Sequence, residues 1–170
     1  MGPRVAAALS AALMLATLTG AASNPGVSYP VQAAFTPPGP YGTTTGAVTD
    51  ASGTVIYDLF YPSSYAALGF KSPVVTWGNG TNGTPGKAST FLSHLASYGF
   101  TVIASTLPNT GSGHEIDAAA HYLVAQDSAA GSVFHGHLDV NEVAAVGLSQ
   151  GATGAGRAAT ASPLARLITW

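Results

Sequence analysis

The order of apolar runs along this 170-residue chain predicts an α/β fold, with a mostly parallel sheet and helices on its faces. Three observations predict it. Apolar or β-branched runs at 54–61, 73–77, 100–105 and 142–148 alternate with stretches of helical spacing at 87–98, 114–126 and 150–161. The run at 73–77 reaches the one at 100–105 through a helix-length crossover, the connection that a parallel strand pair requires. Finally, Val143-Ala144-Ala145-Val146 breaks into Gly147-Leu148-Ser149-Gln150-Gly151 and then into small residues, which reads as a buried strand, a sharp turn and a closely packed helix. Ligands of such sheets sit at the carboxyl ends of the strands.

Arg4 precedes an apolar run over 5–18, followed by Thr19-Gly20-Ala21-Ala22-Ser23. This is the order of a secretory signal peptide, and the run is shorter than the roughly 20 apolar residues of a membrane span. Residues 1–22 are therefore expected to be a signal peptide cleaved near Ala21 or Ala22, leaving a secreted protein with no stable membrane span. An uncleaved anchor is the alternative. Residues 23–52 are rich in Pro, Gly and Thr and read as an exposed lead-in with one edge strand around 31–35. From 53 to 170 the chain reads as part of a single domain without repeats.

Residues 54–61 are β-branched and aromatic and stop at Pro62, as a strand does. The continuous apolar run 73–77 fits a strand buried on both faces, and it leads directly into a glycine-rich loop over 78–86. Phe91, Leu92, Leu95 and Ala96 share a helical face that ends at Gly99. The strand at 100–105 follows. Ile116, Ala119, Ala120 and Leu123 mark the helix at 114–126, and another strand begins at 164–170.

Only 7% of residues are charged and the net charge is −2, so there is no basic patch and no case for nucleic acid as a partner. Cysteine is absent, which removes disulfides and thiolate metal sites. His135-Gly136-His137 is the closest histidine pair, and it lacks neighbouring ligands at metal spacing; it reads as a solvated loop, with no metal expected. His94 and His121 fall inside helices and read as surface or hydrogen-bonded core residues. Two sequons, Asn79-Gly80-Thr81 and Asn82-Gly83-Thr84, lie in the loop assigned to the site and are not expected to carry glycans.

Gly147 and Gly151 flank Ser149 in the spacing G-x-S-x-G, an elbow whose tight turn exposes a serine nucleophile above the sheet. Acyl transfer also needs donors where the carbonyl oxygen becomes negative. The backbone N–H of Gln150 would supply one, and that of Asn79 or Gly80 the other. A phosphate cradle is the competing reading of the glycine-rich loop. It lacks the G-x-x-x-x-G-K-[ST] pattern, because Lys87 is followed by Ala88.

Val74-Val75-Thr76-Trp77-Gly78-Asn79-Gly80-Thr81, the helix closing on Leu95-Ala96-Ser97-Tyr98-Gly99-Phe100-Thr101-Val102-Ile103, and Gly147-Leu148-Ser149-Gln150-Gly151 together resemble the α/β-hydrolase fold. Within it, the chain is most similar to secreted bacterial esterases of the chlorophyllase-like, dienelactone-hydrolase-like and cutinase or polyester hydrolase groups. The resemblance spans roughly 53–170. It implies a serine hydrolase of carboxylic esters, small, lipid-like or polymeric, with Ser149 as nucleophile, the oxyanion hole at Gln150 and Asn79 or Gly80, and no metal or organic cofactor. Many relatives carry His where this chain has Leu148, a position outside the triad.

The family's triad runs Ser, then Asp or Glu, then His, whereas no Asp, Glu or His follows Ser149 here. The chain is therefore expected to be a fragment lacking the last strands, the acid and the base, and by itself a poor enzyme and a marginal fold. His114, with Glu115 or Asp117 beside it, is the upstream histidine that could approach Ser149, and it is not favoured as the base. Asp139 precedes the nucleophile strand and is expected to be structural, at the opposite edge of the sheet. A catalytically silent or binding protein on the same fold, and an acyltransferase sharing the acyl-enzyme, are the alternative functions.

Overall fold

A computed structural model describes residues 29–161 and 167–169. The expected signal peptide at 1–22 lies outside the described residues, as do the first residues of the lead-in. Helix α1 (Pro30–Phe35) is followed by β1 (Thr43–Thr49) and β2 (Val55–Pro62), and a short 3-10 turn (Tyr65–Ala67) leads to β3 (Ser72–Gly78). Then come α2 (Pro85–Ser97), β4 (Thr101–Ser105), α3 (His114–Gln126), β5 (Leu138–Gly147), α4 (Gln150–Ala161) and β6 (Leu167–Thr169).

The strands form one sheet in the order β1-β2-β4-β3-β5-β6. β3 pairs in parallel with both β4 and β5, and β5 with β6, whereas β1/β2 and β2/β4 are antiparallel. The α/β class holds, but the sheet is mixed rather than mostly parallel. The reason is local. β1 and β2 are joined by a tight turn in which the Asp50 carboxylate accepts the Ser52 and Thr54 amides (2.8 and 3.0 Å) and Gly53 takes φ +85°. So short a connection reverses the chain and allows only an antiparallel pair.

The lead-in also differs from expectation. Residues 31–35 lie in helix α1 rather than in an edge strand, with Pro30 at its first turn, where a missing amide costs nothing. The Phe35 ring lies 5.4 Å from that of Tyr98, the Tyr98 hydroxyl donates to the Pro37 carbonyl (2.8 Å), and His94 Nε2 meets the Phe35 carbonyl at 2.8 Å. The edge strand sits later, at β1, whose Thr-rich sequence carries little apolar signal.

The remaining elements form where the apolar periodicity places them. Strand alternation sends Leu59, Val74 and Ile103 to the α3 side of the sheet, where Leu123 packs. Their neighbours Phe60, Val75 and Val102 face Leu92 and Ala96 of α2 on the other side. β5 starts at Leu138, earlier than the apolar run at 142–148 suggests. A register shift between Pro73 and Val74 absorbs the polar stretch between Asp139 and Val143, and the Leu138 amide donates to the Asp127 carboxylate (2.8 Å). Asp139 lies at the start of β5, remote from Ser149 at its end, and accepts the Asn141 amide (3.1 Å).

Candidate active site

β5 ends at Gly147 and α4 begins at Gln150, which leaves two residues to reverse the chain. Ser149 makes that turn at φ +55°. A left-handed conformation is disfavoured for a residue with a Cβ, and holding it costs about 1–3 kcal/mol, so the surroundings must enforce it. Those surroundings are backbone against backbone. A Cβ on Gly147 would fall on the Gly151 carbonyl, and one on Gly151 on the Gly78 carbonyl at the end of β3. Further along α4, a Cβ on Gly154 would overlap the Thr110 carbonyl. The helix thus lies on the strand ends at a distance that only glycine permits. Ser149 is exposed, and its hydroxyl makes no hydrogen bond to a described residue.

The start of α4 brings partial positive charge to this turn. The Gly151 and Ala152 amides bond back to the Leu148 and Ser149 carbonyls (2.8 and 3.0 Å), and no acceptor among the described residues takes the Gln150 amide. Beside it runs the loop after β3. The Leu148 amide donates to the Gly78 carbonyl (3.1 Å), and a Cβ on Gly80 would lie 3.4 Å from the Leu148 carbonyl. The structure therefore brings together Gly147, Ser149, Gln150, Gly151, Asn79 and Gly80.

Asn79 has a second task that its sequence position does not disclose. It is only 1% exposed. Its Oδ1 accepts the Trp77 indole N–H (3.1 Å), and its Nδ2 donates to the Ser105 and Leu107 carbonyls (2.6 and 2.9 Å). The buried Thr110 hydroxyl donates to the Asn79 carbonyl (3.0 Å). One side chain thereby ties the loop after β3 to the loop after β4, and leaves no room for a glycan on the first sequon. The Gln150 side chain makes the matching tie from the elbow, donating to the Pro108 carbonyl (3.1 Å). Trp77, Thr110 and the Gln150 side chain escape a motif-based reading because their roles depend on loops distant in sequence.

His114 is not drawn into this constellation. It stands exposed at the start of α3 and lines a separate, largely apolar cavity of about 430 Å³ with Ile56, Tyr57 and Leu107. The carboxylates beside it are engaged elsewhere. Glu115 accepts the Ser112 hydroxyl (2.6 Å), and Asp117 lies 3.5 Å from His121 Nε2. His137 stacks on Tyr65 with ring centroids 4.9 Å apart, and His135 Nδ1 meets the Asp127 carbonyl at 3.0 Å. Among the described residues no group of three His, Asp or Glu side chains is placed to hold a metal, and no helix is long and apolar enough to cross a membrane.

No protein-family profile matches this chain, and no curated protein sequence matches it.

Proposed function

We propose that this chain carries the α/β-hydrolase architecture and supplies Ser149 as the nucleophile of a secreted serine hydrolase of carboxylic esters. The observation that supports it most is the left-handed Ser149, exposed at a strand-to-helix turn packed by three close glycines, Gly78, Gly147 and Gly151. Strained backbone at an exposed nucleophilic side chain has a structural cost that packing alone does not require. The flanking donors agree with it, since the residue after the serine and the loop after the third strand are where this architecture builds its oxyanion hole.

In the reaction, Ser149 Oγ would bond to the ester carbonyl carbon as its proton passes to a base, a role for which no described histidine stands at Ser149, and the carbonyl oxygen would turn negative between the Gln150 amide and that of Asn79 or Gly80. Collapse breaks the bond to the alcohol oxygen, which leaves with a proton. Water then attacks the acyl-serine, releasing the acid and restoring the hydroxyl. An alcohol in place of water would make the same intermediate serve acyl transfer. No metal or organic cofactor enters these steps.

The test is hydrolysis of a p-nitrophenyl ester by the full-length gene product and its Ser149→Ala and His114→Ala variants. Loss of the nucleophile should leave only the roughly 10³–10⁴-fold acceleration over water that a preformed oxyanion hole supports. His114→Ala should match the parent. A parent no faster than Ser149→Ala would replace this reading with a silent binding protein, and loss of turnover in His114→Ala would make that histidine the base.

A further inference from the structure

Directly beside the elbow is a cavity of about 160 Å³ that the reaction as described leaves without a role. Trp77, Gly80, Gly83, Lys87, Ala88 and Leu148 line it. We propose that it is the acyl subsite, shaped for one short apolar group, an unbranched chain of about six carbons or a single aromatic ring, since an apolar cavity of ~150 Å³ holds benzene. The proposal rests on Ser149 as the nucleophile. Its position supplies the acyl assignment. The cavity wall runs from Gly80, a candidate oxyanion donor, to Leu148, the residue before Ser149, and the gap between them is small, with a Cβ on Gly80 lying 3.6 Å from the Leu148 side chain. The carbonyl oxygen held at Gly80 and the carbon bonded to Ser149 place the acyl chain, which stays attached through both half-reactions, against this wall.

The lining explains the size limit. Trp77 is buried with its ring 5.6 Å from Phe91, and its indole N–H is taken by Asn79, so Trp77 offers the cavity apolar ring surface beside the polar Thr81 and Thr84. The far wall is a closed turn, in which the Gly83 amide donates to the Gly80 carbonyl (2.8 Å) and Asn82 takes φ +54°. A Cβ on Gly83 would lie 2.8 Å from that carbonyl, so the turn has no slack to open. Lys87 covers the rim with its stem while its ammonium donates to the Asn82 carbonyl (3.4 Å). The larger cavity near His114 is lined by none of these residues and does not extend this one.

The experiment is a titration of the full chain with uncharged amides, followed by the ¹H–¹⁵N signals of Gly80, Gly83 and Ala88. Hexanamide and benzamide should give saturable shifts at these positions, and 2-naphthamide, whose fused rings exceed the volume, should not. Ala88→Phe should abolish the hexanamide shifts. Leu148→Ala, at an exposed position, should weaken hexanamide and admit 2-naphthamide. Ser149→Ala should bind as the parent does, which separates failure of the pocket from failure of the nucleophile, the latter being read from ester turnover. Absence of hexanamide shifts, equal shifts with 2-naphthamide in the parent, or indifference to both Ala88→Phe and Leu148→Ala would overturn the proposal.

Discussion

Ser149 is the residue at which stability and the proposed activity are opposed. Glycine occupies φ +55° without the penalty that a Cβ imposes, so Ser149→Gly should raise the unfolding free energy by about 1 kcal/mol while removing the hydroxyl. Ser149→Ala keeps the strain and should melt close to the parent. Thermal denaturation of the three proteins checks the pair, and a Ser149→Gly protein that melts below the parent would mean that the left-handed turn is not strained. Asn79 is opposite in kind. Asn79→Ala leaves the buried Ser105 carbonyl and the Trp77 indole N–H without partners, and should cost about 1–3 kcal/mol for each group stranded, measurable as a fall in the denaturant midpoint at unchanged slope.

Two carboxylates near the β1/β2 hairpin should give opposite pH dependence. Hydrogen bonds from the Ser52 side chain and the Thr54 amide hold Asp50 below its ordinary 3.8, so its contribution is present above that value and is lost as pH falls through the lower folded value. Burial raises Asp58, so its folded form favours the proton, and stability declines as pH rises from 3.8 through the raised folded value. Asp58→Asn should therefore raise the melting temperature at pH 7 and have little effect at pH 3. Asp50→Asn should lower it at pH 7. Melting curves at the two pH values decide both signs.

At the scale of elements, α4 is placed by what it lacks. Gly151, Gly154, Ala155 and Ala158 form its buried face, against the ends of β3 and β5 and the start of α3. Gly154→Val would drive a branched side chain into the Thr110 carbonyl and lift the helix from the loop that Asn79 anchors. The expected result is a loss of several kcal/mol of stability, read from urea denaturation, because the backbone on the other side cannot relax as a side chain would. Helix α1 is held by single contacts instead. Tyr98→Phe removes the hydroxyl bonds to the Ala34 and Pro37 carbonyls but keeps the ring against Phe35. Faster amide exchange confined to 30–37, with the global midpoint shifted by no more than about 1 kcal/mol, is the outcome that fits.

For the molecule as a whole, periodicity and glycine spacing determined the α/β class, the helices at 114–126 and 150–161, the β3-α2-β4 crossover and the position of Ser149 at a strand-to-helix turn, because each depends on residues close in sequence. Helical spacing in α3 and continuous apolar runs in β3 and β4 are strong signals, since both faces of those strands are covered. The edge of the sheet was not legible. Thr43–Thr49 has almost no apolar pattern to read and becomes a strand only because β2 offers its backbone groups, and Pro30–Phe35 becomes a helix with Tyr98 and His94 as its neighbours. The antiparallel entry into the sheet, the early start of β5 and the Asn79 bridge between two loops are likewise tertiary decisions. Each of them satisfies backbone hydrogen-bonding groups, or the Trp77 indole N–H, with partners remote in the chain, and a local pattern carries no record of a partner that only folding brings near.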